Sequence, residues 1–190
     1  MQALREHGRR MNLKYISIGA LAIILAIFYF MYQSNKESEA KIESAKNAYI
    51  DQQNKAVKIV ELQKNLDDLS DADALKLIES SKIQTEDMKF YRDLSGRWSD
   101  AIKVASASSR VDLSGPVKEL QIIKRELSTK ATKTYCEEYL KFNLVKAYDY
   151  AVEGFLSFMK DEQSEMNVNT RLNSLYMDDA IFLQDYCKAP

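Results

Sequence analysis

The feature that most constrains this chain is an uncharged apolar run near its N-terminus, Tyr15 to Tyr32. The run reads YISIGALAIILAIFYFMY and contains no charged residue, Pro, Asn or Gln. As a helix at about 1.5 Å per residue, it would span roughly 27 Å, close to the thickness of the hydrocarbon core of a bilayer. The run therefore predicts one membrane-spanning helix, which divides the chain into two polar parts.

Charge is distributed unequally on the two sides of this predicted span. Residues 1–14 carry four basic side chains and one acidic one, a net +3, whereas the remainder of the chain carries a net −4. Basic flanks are retained in the cytoplasm, so residues 1–14 are predicted to be a cytoplasmic tail and residues 33–190 to lie outside. The sequence contains no Asn-x-Ser/Thr sequon. We interpret the protein as one of the bacterial inner membrane, with its domain in the periplasm.

A cleaved signal peptide is the main alternative for the apolar run. The basic tail would suit a signal peptide, but bulky residues from Phe28 to Tyr32 stand where small residues should precede the cleavage site. We therefore favour an uncleaved anchor. Gly19, Ala22 and Ala26 lie on one face of the predicted span, a spacing also found in dimers of membrane helices, which leaves a homo-oligomer open.

The sequence after the span is typical of an all-α protein. Only five Gly and two Pro occur in the chain, while charged residues make up 29%, which favours helices over sandwiches or barrels. Behind a polar stalk, residues 33–41, apolar side chains recur at helical spacing. We predict an antiparallel bundle of four to five helices over residues 42–187, followed by a short tail, residues 188–190.

The predicted helices follow from this spacing and from N-capping residues. The first runs from Lys41 to about Leu66 and is expected to bury a stripe containing Ile42, Ala45 and Tyr49. The others are predicted at Ser70–Ser81, Thr85–Ala107, Pro116–Lys160 and Val168–Tyr186, with Ser70, Thr85 and Ser114 or Gly115 as caps and with a bend at Gly154.

Catalysis is disfavoured by what the sequence lacks. The only histidine, His7, lies in the predicted cytoplasmic tail, so histidine-based catalysis and histidine-ligated metals are not expected in the outer domain. The chain has no Cys-x-x-Cys motif and no Gly-rich phosphate loop. Its adjacent carboxylate pairs point about 100° apart on a helix and are interpreted as solvent-exposed. We expect no enzyme activity and no cofactor, and the mildly acidic domain argues against nucleic acid as a partner.

Protein binding is the function that this architecture favours, as a tether, scaffold or inhibitor-type component for another envelope protein. Arginine and large aromatic residues are enriched at the centres of protein interfaces. Burial in the core is the alternative for each aromatic residue, because helical spacing alone produces aromatic stripes. The candidate partner-binding residues are Arg92, Arg97, Trp98, Tyr135, Tyr139 and Tyr148.

A second hypothesis comes from the order of the segments. A basic tail, an N-terminal anchor and a helical outer domain make an outline that resembles the four-helix extracytoplasmic domains of bacterial chemoreceptors. The resemblance covers topology alone and implies a ligand-sensing domain. Because no second span follows Tyr186, a sensor of this kind would signal through a partner protein.

The two cysteines, Cys136 and Cys187, are predicted to form a disulfide. Both follow the anchor, where an oxidising compartment permits the bond, and the chain has no other cysteine. If the last two helices form an antiparallel hairpin with its turn near residue 163 or 164, the cysteines are nearly equidistant from that turn. They are then expected to lie within about one helical turn, some 5–6 Å, of the same height.

Overall fold

The computed structural model describes the backbone of residues 3–189 and the side chains of residues 28–189. Over this part of the chain the secondary structure is all-helical, with no strand, as the sequence predicts. The chain divides into two compact units, Met1–Asn54 and Lys55–Pro190. The six helices are α1 (Ala3–Asn65), α2 (Asp71–Glu79), α3 (Thr85–Ala107), α4 (Ser114–Thr129), α5 (Tyr135–Lys160) and α6 (Gln163–Tyr186).

The predicted membrane span, residues 15–32, falls largely outside the described side chains, as does the basic tail, residues 1–14. Within the described part, no helix contains a stretch long and apolar enough to cross a membrane. The span and the orientation of the chain therefore stay predictions.

In the first unit, α1 is exposed wherever its side chains are described. The predicted stalk, residues 33–41, is helical, and every side chain from residue 28 to residue 54 is exposed. Ile42, Ala45 and Tyr49, predicted to form a buried stripe, are among them. The burial expected for this stripe is found only in the second unit, where Leu62 and Leu66 are 2% and 1% exposed.

Helix α5 lies at the centre of the second unit. It packs against α2, α4 and α6, and it receives Trp98 of α3 against Tyr148. Because neighbours surround it, α5 buries apolar residues over much of its circumference rather than along one stripe. Its fully buried apolar side chains are those of Cys136, Leu140, Leu144, Ala147, Tyr148 and Val152.

The prediction of one helix over residues 116–160 is wrong, because the chain leaves the helix at Lys130 and re-enters it at Tyr135. Thr134 is the N-cap of α5, and its hydroxyl accepts a hydrogen bond from the Glu137 backbone N–H at 3.2 Å. The Glu137 carboxylate reaches back to accept from the Lys133 N–H at 2.8 Å. Thr134 and Glu137 thus form a variant of the capping box.

Ion pairs hold this break in place. Lys130 Nζ lies 2.9 Å from the Asp87 carboxylate and 3.3 Å from the buried Glu137 carboxylate, while Lys133 Nζ lies 2.8 Å from Asp87. The Tyr91 hydroxyl also donates to Glu137, at 3.2 Å. The pKa of the Asp87 carboxyl is lowered below its usual value. The hydrogen bond from Lys133 is the largest cause, and the hydrogen bond from Lys130 is the second. The break therefore gives the buried Glu137 carboxylate its hydrogen-bond and ion-pair partners. In a continuous helix the same carboxylate would lie in the middle of the helix.

The ends of the other helices agree with the sequence to within a few residues. Ser70 caps α2 as predicted, accepting from the Asp73 N–H at 3.1 Å. The N-cap of α3 falls one residue earlier than predicted and that of α4 one or two residues earlier, and neither makes a side-chain capping bond. In the predicted tail, the Ala189 N–H donates to Ile83 O at 3.2 Å, and the Ile83 N–H donates to Cys187 O at 2.8 Å.

The turn between α5 and α6 is shorter than predicted. It consists of Asp161, in the left-handed conformation with φ 67°, and Glu162, so α6 begins at Gln163 rather than at Val168. Gly154 marks no helix end, and it lies within the uninterrupted α5. A Cβ there would lie 3.7 Å from the Asn169 Cβ, an ordinary contact between the two helices.

The two cysteines lie at disulfide distance, as the sequence predicts. Their Cα atoms are 5.6 Å apart, and both residues are fully buried. The short turn explains the match, because Cys136 lies 25 residues before Asp161 and Cys187 lies 25 residues after Glu162. Residues equidistant from the turn of an antiparallel hairpin lie at the same height.

Replacing Thr134 by Ala should lower the free energy of unfolding by about 1 kcal/mol, because the Glu137 N–H at the start of α5 loses its capping acceptor. Urea denaturation of the two proteins measures the difference. Thr132→Ala, two residues away and not at a helix N-cap, is the matched control and should change stability much less. Equal effects of the two substitutions would contradict the capping role.

Protein isolated without reductant should contain no free thiol, and the Cys136→Ser/Cys187→Ser variant should lose stability. The cysteines are separated by 51 residues, and closing a loop of that size restricts the unfolded chain by about 4 kcal/mol. Mass spectrometry after thiol alkylation, and denaturation with and without reductant, check the two parts. Two alkylated cysteines in unreduced material would refute the bond.

Candidate functional site

Two of the six predicted partner-binding residues belong to the core. Trp98 is 4% exposed and Tyr148 is fully buried. Their rings stack face to face, with centroids 3.6 Å apart and planes 3° from parallel. The partner-binding prediction for these two is therefore corrected: they join α3 to α5, and their side chains are closed to a partner protein.

The other four candidates are spread over the second unit. Tyr135 is half-buried and donates to the Asp73 carboxylate at 2.7 Å, and this bond is the main cause of a pKa of about 2 for Asp73. Tyr139 is half-buried beside it, with ring centroids 6.0 Å apart. Arg97 is exposed and pairs with Glu126 at 2.7 Å, and Arg92 is exposed on the same helix. The structure does not gather these residues into one site.

The strongest candidate site is a groove between α3 and α6, with α5 as its floor. It consists of two adjoining cavities of about 320 Å³ and 290 Å³, which share Ile102 and Asn173. We call this feature the α3–α6 groove. Its lining residues are Ser95, Trp98, Ser99, Ile102, Ala105, Ser106 and Ser108 on the α3 side, Tyr148, Ala151, Gly154, Phe155 and Phe158 on the floor, and Met166, Thr170, Asn173 and Met177 on α6.

The groove is uncharged and mostly apolar. None of its lining residues is an Asp, Glu, Lys, Arg or His. Along the floor it extends from Tyr148 to Phe158, a distance of about 15 Å at the rise of an α-helix. An arrangement of this kind is suited to holding a molecule by apolar contact, and it has no acid, base or nucleophile pair for catalysis.

One end of the groove contains two buried hydroxyls. Ser95 Oγ and Tyr148 Oη are both buried, and neither has a hydrogen-bond partner among the described residues. Burial raises the pKa of the Tyr148 hydroxyl to about 12, while hydrogen bonding with the neighbouring Ser95 hydroxyl acts in the opposite direction; the two hydroxyls thus lie close to each other but do not reach full hydrogen-bond geometry. Asn173 adds a side-chain amide, whose Nδ2 donates to Ala147 O at 2.8 Å. Buried hydroxyls normally find a partner, so this end is open to a hydrogen-bonding group.

Sequence reasoning did not find this groove. Its floor contains two small residues, Ala151 and Gly154, and Ala105 faces them from α3. Small residues at helical spacing indicate close helix packing as readily as a groove. The sequence predicts a bend at Gly154 because glycine is a helix breaker, and only the placement of α3 and α6 shows that this residue lies on the floor of a groove.

A second feature is the acidic cluster at the junction of α1 and α2. Asp179 of α6 is 7% exposed and accepts from the Asp67 N–H at 3.3 Å, and Asp67, Asp68 and Asp179 line one small cavity. The sequence interpretation of Asp178 and Asp179 as a solvent-exposed pair holds for Asp178 alone. In the described part of the chain, no group of three or more His, Cys, Asp or Glu is placed to hold a metal ion.

Comparisons with protein-family models, with curated proteins and with solved structures give no match for this chain. The function is therefore argued from the chain's own residues. Among the described residues, the α3–α6 groove and the exposed part of α1 are the features that bear most directly on function.

The buried Asp179 should make the protein less stable as pH rises from about 4 to 6. Burial is the main cause that raises its pKa from 3.8 to about 6, so over this range the folded state holds a proton that the unfolded state has released. The free energy of unfolding then falls with pH until Asp179 is ionised, and it stays lower above that point.

Denaturation of the wild type and of Asp179→Asn at several pH values isolates this contribution. The variant should gain stability relative to the wild type as pH rises from 4 to 6. Asp178→Asn, the exposed neighbour, is the control and should show no such trend. A difference between wild type and Asp179→Asn that does not change with pH would contradict the raised pKa.

Proposed function

We propose that this protein is a single-pass, membrane-anchored helical module that binds another protein of the bacterial cell envelope, as a tether, scaffold or inhibitor-type component. In this proposal residues 1–14 lie in the cytoplasm and residues 15–32 cross the inner membrane. The antiparallel helical bundle that follows lies in the periplasm. The protein has no catalytic role of its own.

Two observations support the membrane and the periplasm. Every side chain from Phe28 to Tyr32 is large, apolar and 59% or more exposed, so the protein itself does not cover these five consecutive residues. Aromatic residues at the end of a span favour the interface between lipid and water. The buried pair of Cys136 and Cys187 at disulfide distance suits an oxidising compartment, which the periplasm provides.

The single observation that carries the binding role is the exposed helix of the first unit. Residues 33–54 are helical, yet every side chain is exposed. Helices in proteins owe most of their stability to the packing of an apolar face, so a helix without packing is marginal in water. Ile42, Tyr49 and Ile50 are 65%, 62% and 46% exposed. Their spacing of seven and eight residues places them on one face.

We name Ile42, Tyr49 and Ile50 the α1 face, and we propose that a partner protein covers it. An apolar face of one helix is recognised by packing against a helix or groove of the partner, with anchor residues at just this spacing. Covering the face would bury the exposed side chains and give the helix the packing that it lacks.

A photo-crosslinking amino acid in place of Tyr49, in the full chain expressed in its own cells, tests the proposal. The expected result is one discrete adduct with another envelope protein. The same amino acid in place of Ala40, which lies about 180° around the helix from Tyr49, should give much less of that adduct. Ile42→Ser/Ile50→Ser should also reduce the adduct, because the apolar contact is lost.

Several outcomes contradict this proposal. No adduct from Tyr49, or an equal yield from Ala40, would show that the α1 face has no dedicated partner. An adduct only with a second copy of this chain would replace the partner protein by a homo-oligomer. An adduct within one chain would show that the face packs on the protein's own domain.

A ligand-sensing domain is the second candidate function, and the α3–α6 groove favours it. An apolar groove with a few polar groups at one end is the usual form of a small-molecule site. The observation that favours this candidate is the pair of buried hydroxyls of Ser95 and Tyr148, which lack a hydrogen-bond partner among the described residues. Burying a hydroxyl without a partner lowers the stability of a protein, and a bound ligand could supply the missing hydrogen bond. In this candidate the bound ligand acts through the partner protein.

A further inference from the structure

We propose that the α3–α6 groove binds a neutral amphiphile, whose alkyl chain lies on the floor formed by α5 and whose uncharged head bonds to Ser95 and Tyr148. The inference rests on the ligand-sensing candidate and names its ligand class. It does not depend on a protein partner at the α1 face, since the groove lies wholly in the second unit.

The head position follows from the two hydroxyls. Tyr148 is fully buried and its Oη has no partner among the described residues, and the same holds for Ser95 Oγ. Each hydroxyl can donate one bond and accept others, so together they match a ligand carbonyl or hydroxyl group. Both residues line the same cavity as Trp98, which gives the head an aromatic neighbour.

The alkyl chain is indicated by the shape and chemistry of the rest of the groove. Beyond Asn173, the floor consists of Ala151, Gly154, Phe155 and Phe158. This part of the floor runs about 10 Å along α5, so it suits an extended chain rather than a compact ring system. The two cavities together lie within the range of about 300–1,000 Å³ that is typical of small-molecule sites.

The absence of charged lining residues makes the head neutral. A carboxylate or ammonium group placed beside Tyr148 would leave water without a counter-ion, which is strongly unfavourable. At the other end, Arg110 lies over the Phe158 ring at 5.0 Å and already pairs with Asp161 at 2.6 Å. A fatty alcohol, an acyl ester or a monoacylglycerol has the required chemistry, whereas a fatty-acid anion does not.

The amphiphile has two potential sources with the same chemistry. It can be a free neutral amphiphile, or it can be the acyl chain and ester group of a membrane lipid. The experiment separates them by supplying the quenching group either on an added molecule or on the lipid itself.

Trp98 is the only tryptophan of the chain, and it lines the groove, so its fluorescence reports occupancy. The full chain in lipid nanodiscs is titrated with bromine-labelled octanol, octanoate or octane at one lipid concentration. The expected result is saturable quenching by bromo-octanol at a concentration about tenfold lower than for the other two, as loss of one well-placed hydrogen bond implies. A parallel sample uses nanodiscs of brominated phospholipid without an added probe.

Variants identify the groove as the site. Tyr148→Phe keeps the ring that stacks on Trp98 and removes the hydroxyl, so affinity for bromo-octanol should fall about five- to tenfold while bromo-octane is unaffected. Tyr150→Phe, which lies outside the groove, is the matched control and should change neither. Ala151→Phe fills the floor and should abolish saturable quenching by every probe. Circular dichroism and thermal melting confirm that each variant is folded.

The outcomes decide the proposal. Quenching by free bromo-octanol alone, or by brominated phospholipid alone, supports it and names the source, provided that Ala151→Phe removes the effect. Equal or tighter binding of the octanoate anion overturns the neutral head. Quenching that does not saturate, or that survives in Ala151→Phe, overturns the site. Failure of these tests leaves the Tyr49 crosslink intact, so the two proposals fail separately.

Discussion

The burial of α5 is the constraint on which the rest of this structure depends. This helix buries side chains over most of its circumference, so α2, α3, α4 and α6 must each cover part of it. Where two of these helices leave a strip of α5 open, the α3–α6 groove results. The break before α5 has the same origin, because Glu137 is buried at its first turn and needs Lys130, Tyr91 and a free backbone N–H. Core packing and the candidate ligand site are therefore two results of one arrangement.

Local signals and simple geometry carry most of what the sequence predicts correctly. Ser70 caps a helix through a bond to a residue three positions away, so its role is visible in the sequence alone. The pairing of Cys136 with Cys187 follows from their equal distances to one turn. The prediction of this pair was correct even though the turn was predicted about two residues too late in the chain. The all-helical class follows in the same way from the spacing of apolar residues.

The errors arise where the deciding partner is distant in the sequence. Lys130 leaves the helical pattern because its ammonium group pairs with Asp87, 43 residues earlier, and no local pattern encodes this contact. Thr134 and Glu137 have the residue types and the three-residue spacing of a capping box, but the apolar spacing that continues on both sides of them predicted a single helix. Tyr148 and Trp98 show the limit for the candidate site, since their residue types suit an interface as well as a core. Only their stacking at 3.6 Å places them in the core, below a groove.

The cysteine pair has a consequence for the way in which the groove can move. The segment between Cys136 and Cys187 contains the floor, on α5, and one wall, on α6, whereas the other wall, on α3, lies outside it. A covalent link across this segment would fix the floor and the α6 wall as a single rigid half. The width of the groove would then change mainly when α3 moves. Such a motion costs free energy, because it separates the Trp98 ring from the Tyr148 ring. If the groove binds a ligand as proposed, entry of the molecule would require α3 to move away from α5 at the stacked Trp98–Tyr148 pair.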